Sequence, residues 1–562
     1  MMNFYDDNDS LKFHLTHPDM LKIAAMKEQD FVEHGKYGDA PANAEEALEN
    51  YGRVLSLVGE IAGEVVAPNA EEVDHEGPRI EENKVVYAKG TQQNYDVLKK
   101  SGLFGISMPR CYHGLNFPYV PFIMTTEIIS RADTGFATIW SLQDCAETVS
   151  EFADQALKDK FLPRIYEGAT CSMDLTEPDA GSDLQAVRLK ATFDEAANCW
   201  RLNGVKRFIT NGGADLHLVL ARSEEGTLDG RGLSYFLYDR ADGGLTVRRL
   251  ENKMGIKGSP TAELVFNNAP AHLIGERRFG LIKYVMTLMN DARLGVGSQS
   301  VGLSEAACRE AEAYAAEREQ FGQAILRFPA VRDLLMTMRA RTDATRTLLY
   351  ETSRMVDLYK AYEAKGKNMT PEERAAYKAA LRSADILTPI LKLSASEFAN
   401  RNAYDCIQVH GGSGFMKEYA CERLYRDARI LSIYEGTSQL QVVAAQKGIA
   451  NGTYLSKIEE YDSRPLHGSL EPLRAQLREA TENCKALLEL PNSEEQGYDF
   501  KRMQTDVIAA IIMAYLLLSD CQRQLDGDES CSRSFLPSAR YMAAYARAES
   551  VRCLAMAKSY SV

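Results

Sequence analysis

Apolar residues in this chain recur at helical spacing, then at strand spacing, then at helical spacing again; satisfying both periods takes separate helical and sheet units. Helical segments begin near Asn43, a candidate N-cap, and continue with breaks to about Glu167. Between residues 169 and 278 the texture becomes short alternating runs with turn punctuation: 199–202 leading into Asn203-Gly204, then 216–221, 233–238 and 262–266. From about Leu281 the helical period returns, with Val331, Leu334, Leu335 and Met338 at i, i+3, i+4 and i+7, and long helices reach about Ala450. Residues 365–373 read as a loop before a helix capped by Thr370-Pro371-Glu372-Glu373. The α+β chain therefore divides into a polar N-terminal arm (1–45), a helical domain (46–168), a β domain (169–280), a second helical domain (281–452) and an additional helical domain (453–562). The apolar stripes of the last unit, Leu473 and Leu477, then Ala509, Ile512, Tyr515 and Leu516, must pack on the main body or on another subunit.

Charge and cysteine usage exclude several function classes. The balance of 65 basic and 79 acidic residues gives −14, and no Lys/Arg run exceeds three, so a nucleic-acid phosphate backbone is a poor partner. The 11 cysteines stand singly, with no C-x-x-C and no Cys/His cluster at zinc spacing; this predicts no metal site and a reduced, cytoplasmic setting. The first residues are acidic and lack an apolar signal core. The longest apolar run, 507–518, is too short to span a bilayer and predicts a buried helix rather than membrane contact.

Five segments carry chemistry. Leu175-Thr176-Glu177-Pro178-Asp179-Ala180-Gly181-Ser182-Asp183 offers hydroxyls, amides and a glycine to an anionic or heteroaromatic group, although alone it also fits a polar turn. In Lys206-Arg207-Phe208-Ile209-Thr210-Asn211-Gly212-Gly213, Phe208 and Thr210 share one strand face, where one could flank a planar ring and the other bond its edge; taken alone, a core Phe beside a turn fits better. Glu317-Arg318-Glu319-Gln320-Phe321-Gly322 pairs a guanidinium with an aromatic at a helix end, which is also a common surface feature. Gln408-Val409-His410-Gly411-Gly412-Ser413-Gly414-Phe415 puts three glycines where a helix end needs one, suggesting close approach of a ligand or another chain, with His410 packing or capping. In Ile433-Tyr434-Glu435-Gly436-Thr437-Ser438-Gln439, Glu435 in apolar surroundings suits a base toward a carbon acid, or else caps a helix.

Together and in this order the segments resemble the acyl-CoA dehydrogenase family of FAD enzymes over roughly residues 45–450, most specifically around 176–183 and 408–427. The resemblance implies an N-terminal helical domain, a middle β-barrel and a C-terminal four-helix domain. By motif, Met173, Leu175, Thr176, Gly181 and Ser182 would line the flavin, Phe208 would flank its ring, and Thr210 would bond near N5. Arg318, Phe321, Gln408, Gly411 and Gly412 would hold the pyrophosphate and adenosine of an FAD shared between subunits of a homo-oligomer, a dimer or tetramer. Thr437 and Gln439 would approach the FAD, and Ser182, Asn290, Arg293 and Gly436 would touch the CoA thioester. Family members carry their base in the Y-E-G-T segment or just before the residue matching Arg293. Ala292 occupies the second position, so Glu435 is the expected base, with its backbone N–H holding the enolate-like oxygen. The implied reaction is α,β-dehydrogenation of an acyl-CoA, as in fatty acid β-oxidation, with electrons passed to electron-transferring flavoprotein.

Departures from the pattern are Asp174 where a small residue is usual, Pro329 in place of a frequent glutamine, and Phe208 where shorter-chain enzymes often carry Trp. An approximate alignment puts Thr126 where glutaryl-CoA dehydrogenases carry an arginine, which argues against decarboxylation. The extension after 452, with 252–261 and 386–392, resembles the long bacterial group that includes 3-methylthiopropanoyl-CoA dehydrogenases, and leaves the acyl chain open. An acyl-CoA oxidase using O2 would share flavin and base. A DNA-associated flavoprotein of the same fold would need a basic C-terminal domain, whereas Glu459-Glu460 and Glu494-Glu495 make 453–562 mixed in sign.

Overall fold

A computed structural model describes residues 2–490 and 497–560; Glu494 and Glu495 lie outside the described residues. The segment 1–45, a polar arm by sequence, instead carries the helices Asp9–Leu15 and Asp19–Lys27 and buries Phe4, Tyr5, Leu11, Phe13, Met20 and Ile23. Helices of 7 and 9 residues are shorter than the window in which periodicity becomes legible. Buried Arg110 ties the arm down, forking onto Glu28 at 2.6 and 2.9 Å and reaching Glu33 and Asp39.

The first helical domain begins at Ala44–Ile61, where the Asn43 side chain accepts from the Glu46 N–H at 2.8 Å, so the expected cap forms. A hairpin, β1 (Arg79–Glu81) and β2 (Lys84–Val86), interrupts this domain and is pinned to the sheet through Asn83, which bonds the backbone of Leu245 and Val247. The helices Lys89–Lys100, Tyr119–Ala132, Thr134–Trp140, Asp144–Phe152 and Gln155–Tyr166 follow.

Seven strands make the β domain: β3 (Cys171–Asp174), β4 (Lys190–Asp194), β5 (Cys199–Thr210), β6 (Leu216–Arg222), β7 (Leu233–Asp239), β8 (Leu245–Leu250) and β9 (Thr261–Ile274). Pairing runs β4–β5–β9–β7–β6 and returns to β4, closing a barrel, with β3 added in parallel on β6 and β8 on β9. Every residue of β7 is buried, Ser234 and Asp239 included. Asn203-Gly204 is not a hairpin turn: β5 continues through it with a register shift, and a Cβ on Gly204 would meet Leu189 at 2.9 Å.

The second helical domain is built on Met286–Glu317, Pro329–Ala364, Pro371–His410 and Ser438–Ala450, with the shorter Ala420–Leu431; Thr370 and Glu373 form the reciprocal cap expected of that motif. The extension folds as Thr453–Asp462, Glu471–Leu488, Gly497–Leu525 and Leu536–Tyr560. By length and composition alone Gly497–Leu525 could cross a membrane, yet Val507 to Leu518 are all buried inside the protein. The stripe packs on the chain's own Pro329–Ala364 and Leu536–Tyr560 helices, and one core unites the arm, both helical domains and the extension.

Candidate active site

The chemistry-bearing residues fall into three groups. The first lies on the barrel face. Met173 is half-buried on β3, which pairs only with β6, while Ser172 and Asp174 point inward from the opposite face and bond His217 of β6 at 2.7 and 3.0 Å. Asp174, the unusual residue of the motif, is thus half of a wholly buried pair. Leu175 is buried, Thr176 half-buried, and Gly181 and Ser182 exposed. Glu177 organises this turn: it accepts from the Arg188 and Leu189 N–H groups and from Lys206, whose ammonium also donates to the Leu175 carbonyl. Phe208 lies at a β5 irregularity with φ +60° and is 53 % exposed, with half-buried Thr210 two residues on.

The second group surrounds Glu435. Thr437, not Glu435, caps the Ser438–Ala450 helix, accepting from the Leu440 N–H, and Gln439 is exposed. Glu435 and Gly436 take consecutive left-handed conformations, φ +54° and +91°. A Cβ on Gly436 would meet the Gln441 amide nitrogen at 2.7 Å, so glycine is required twice over. Tyr434 donates to buried Gln299, which donates to Ser141 at 3.1 Å, fixing the segment from the other side. Arg293 donates to Asn290 at 3.0 Å, and its Nε is buried without a partner. Burial pushes the Glu435 carboxyl above the ordinary carboxylate range, while the charges of Lys392 and Arg293 pull it back.

The third group sits at helix ends. Arg318, Phe321, Gln408, Gly411 and Gly412 are all exposed. Strands β10 (Glu319–Gln320) and β11 (Gln323–Ala324) form a two-residue hairpin with Phe321 and Gly322 at φ +52° and +78°, holding Phe321 out at 95 % exposure. Tyr314, on the helix that leads into this hairpin, stacks on buried His410 at 4.2 Å and donates to Ser413 of the glycine turn. Space beside Gly411 and Gly412 is open to 4 Å, and Phe415 is 80 % exposed.

Sequence reasoning missed Lys392, Gln441, Gln299 and Tyr434 as site residues. Lys392 had a signal, a lone cation in an apolar helical run. Thr126 is wholly buried, its hydroxyl without a partner. Pro329 opens the Pro329–Ala364 helix. Among the described residues no group of three or more His, Cys, Asp or Glu could hold a metal ion. A cleft of about 860 Å³ lies elsewhere, with mixed charges that include Asp7, Arg131, Arg309 and Arg423.

A helical unit, a barrel and a second helical unit, with a carboxyl raised above its ordinary range and an exposed aromatic on a barrel strand, have the form of a flavin-dependent oxidoreductase. The chain belongs to the acyl-CoA dehydrogenase family: models of its N-terminal, middle and C-terminal domains match residues 51–169, 172–269 and 282–450, and a model described as acyl-CoA dehydrogenase C terminal matches 450–562. It is an oxidoreductase acting on CH–CH bonds, and FAD is the cofactor of the type. It is 36% identical over 430 residues to 3-methylmercaptopropionyl-CoA dehydrogenase of Ruegeria pomeroyi, covering 70% of this chain and 71% of that one. A solved chain from work on the electron transferring flavoprotein of Acidaminococcus fermentans superposes with TM-score 0.61 at 29% identity, covering 71% of this chain and 97% of that one. An acyl-CoA dehydrogenase of Bacillus anthracis complexed with FAD superposes with TM-score 0.73 at 24% identity, covering 91% of this chain and 88% of that one, and so shares the fold into the extension.

Proposed function

We propose that the protein dehydrogenates an acyl-CoA thioester at Cα–Cβ, with Glu435 removing the α-proton, and passes the electrons to an electron-transferring flavoprotein. The observation that carries this reading is Glu435 itself: a carboxyl raised by burial, presented on a left-handed turn, with Arg293 facing it and no carboxylate at Ala292 to take its place. Bound FAD supplies the hydride acceptor. The residues fit it: β3 ends its sheet path with one edge unpaired, exposed Phe208 and neighbouring Thr210 can flank a planar ring, and Ser182 is exposed on the segment that follows β3. Arg318, Phe321, Gln408, Gly411 and Gly412 would hold the pyrophosphate and adenosine, and their exposure supports a site completed by a second copy of the chain. Thr437 and Gln439 would approach the cofactor.

Toward the substrate, Gly436 leaves room for the thioester carbonyl to reach the Glu435 N–H, while Asn290 and Arg293 contact the CoA side. The substrate class would be a short or heteroatom-containing acyl-CoA, by analogy with the named specificity of the Ruegeria relative. The 11 free cysteines accord with a reduced, cytoplasmic setting.

Anaerobic mixing of the flavoprotein with saturated acyl-CoAs of graded length tests the reading through flavin absorbance. Bleaching by one range of chains, slowed by several orders of magnitude in Glu435→Gln, is expected. Bound FAD that no thioester bleaches would sink it.

A further inference from the structure

Lys392 lies in an apolar stretch of the Pro371–His410 helix, yet its side chain is wholly buried and its ammonium donates to the Gly436 carbonyl at 2.7 Å. That carbonyl also accepts from Gln441 Nε2 at 3.0 Å, and the same amide reaches the Glu435 carbonyl at 3.5 Å. Two donors from two different helices thus converge on the peptide just after the proposed base. A non-glycine residue at φ +54° costs of order 1 kcal/mol or more and persists only where neighbours hold it. Burying a lysine is costlier still, and the compensation on hand is electrostatic: Glu435 and Glu397 attract it, while Arg293 opposes it. Glu397 is already engaged by the Ser438 hydroxyl at 2.7 Å and faces Arg502 at 3.8 Å, which leaves Glu435 as the principal counter-charge.

We propose that Lys392 is a positioning residue for the reaction, clamping the Glu435–Gly436 turn through the Gly436 carbonyl and holding Glu435 ionised by its charge. The inference rests on Glu435 being the base. Burial drives the Lys392 ammonium down to about 7, so its charge supports an ionised Glu435 on the acid side of neutrality and fades above it. Arg293 is the other charge facing Glu435 and, as a guanidinium, stays protonated, so the groups that titrate against each other are Lys392 and Glu435. No covalent step passes through Lys392.

The test separates charge from clamp in FAD-loaded, full-length protein. Lys392→Gln keeps an N–H donor for Gly436 and removes the charge; Lys392→Arg keeps both. Infrared difference spectra, each protein minus its Glu435→Gln counterpart, report the Glu435 carboxyl titration directly. The Glu435 midpoint is expected to rise by about one pH unit in Lys392→Gln, making flavin reduction about tenfold slower on the acid side with KM little changed, and to stay near the wild-type value in Lys392→Arg. Should Lys392→Gln fail to fold, the reciprocal experiment needs no lysine variant: linkage requires Glu435→Gln to lower the Lys392 midpoint, read from the lysine 13Cε chemical shift against pH, which needs no reagent access. Unmoved midpoints would overturn the proposal, as would Lys392→Arg behaving like Lys392→Gln. Linked titrations with no bleaching by any acyl-CoA would remove the dehydrogenase reading and leave the pair; bleaching with independent titrations would do the reverse.

Discussion

Lys206 and Glu177 meet at 2.9 Å with the ammonium wholly buried, and this pair joins β5 to the turn that follows β3. Because Glu177 also accepts two backbone N–H groups at 2.7 and 3.0 Å, the carboxylate is the node on which the 175–189 segment is strung. Lys206→Met leaves that carboxylate buried beside an apolar side chain. Removing one partner of such a pair costs about 3–5 kcal/mol. Thermal denaturation should show the loss, and FAD should wash out on gel filtration; a variant with wild-type melting and full flavin content would show that the pair does not hold the turn.

Phe321 stands at the first position of a hairpin that demands φ > 0 from both central residues, a place where Asn-Gly is preferred. An aromatic there is strained and, at 95 % exposure, gains little within its own chain. Phe321→Asn should therefore relieve strain and stabilise the isolated chain by about 1 kcal/mol while weakening FAD retention. Denaturant titration and flavin-binding titration check the two halves. A variant that is both more stable and equally tight for FAD would remove Phe321 from the cofactor site.

Asp520 of the Gly497–Leu525 helix accepts from Thr347 of the Pro329–Ala364 helix at 2.6 Å, and burial raises its pKa to about 6. The unfolded value is about 3.9, so the folded chain binds the extra proton between these limits. Stability from this group falls as pH rises from about 4 to 6, and the full cost is present above 6. Asp520→Asn keeps a carbonyl acceptor for Thr347 without the charge. It should raise stability at pH 8 by about 2–3 kcal/mol and change little near pH 4. Melting curves at the two pH values decide; an equal shift at both would mean the effect is packing rather than ionisation.

The double change of period was legible because the long helices and the barrel strands each bury a continuous face, as Val331 to Met338 and the wholly buried β7 show. The arm was not: its two short helices are held by Arg110, distant in sequence, and by an apolar surface they do not themselves contain. Asn203-Gly204 carries a strong turn signature, yet β5 runs through it because the barrel needs a bulge against Leu189 there. In the site, Glu435 is readable because a carboxylate between Tyr and Gly stands out in the sequence. Gln299 and Gln441 are not, and Lys392 shows only as a lone cation in an apolar run, since their parts depend on helices far apart in sequence converging on the Tyr434–Gly436 segment.

The extension shares its core with the rest of the molecule. Phe13 of the arm lies 5.0 Å from Phe535, Arg523 covers the same ring, and Arg533 forks onto buried Asp343 of the Pro329–Ala364 helix. A stop after Gly452 would expose the inner faces of Pro329–Ala364 and of the arm, and would leave Asp343 buried in part without its cation. An apolar face of that extent on a monomer drives aggregation. The truncated chain should therefore be insoluble, or should melt far below the intact protein with the arm protease-sensitive, even though the segments carrying the proposed active-site residues all lie upstream of the cut. Limited proteolysis and light scattering on the two chains give the answer. A soluble, monodisperse truncation with an unchanged melting point would mean that the extension is an independent domain resting on a finished fold.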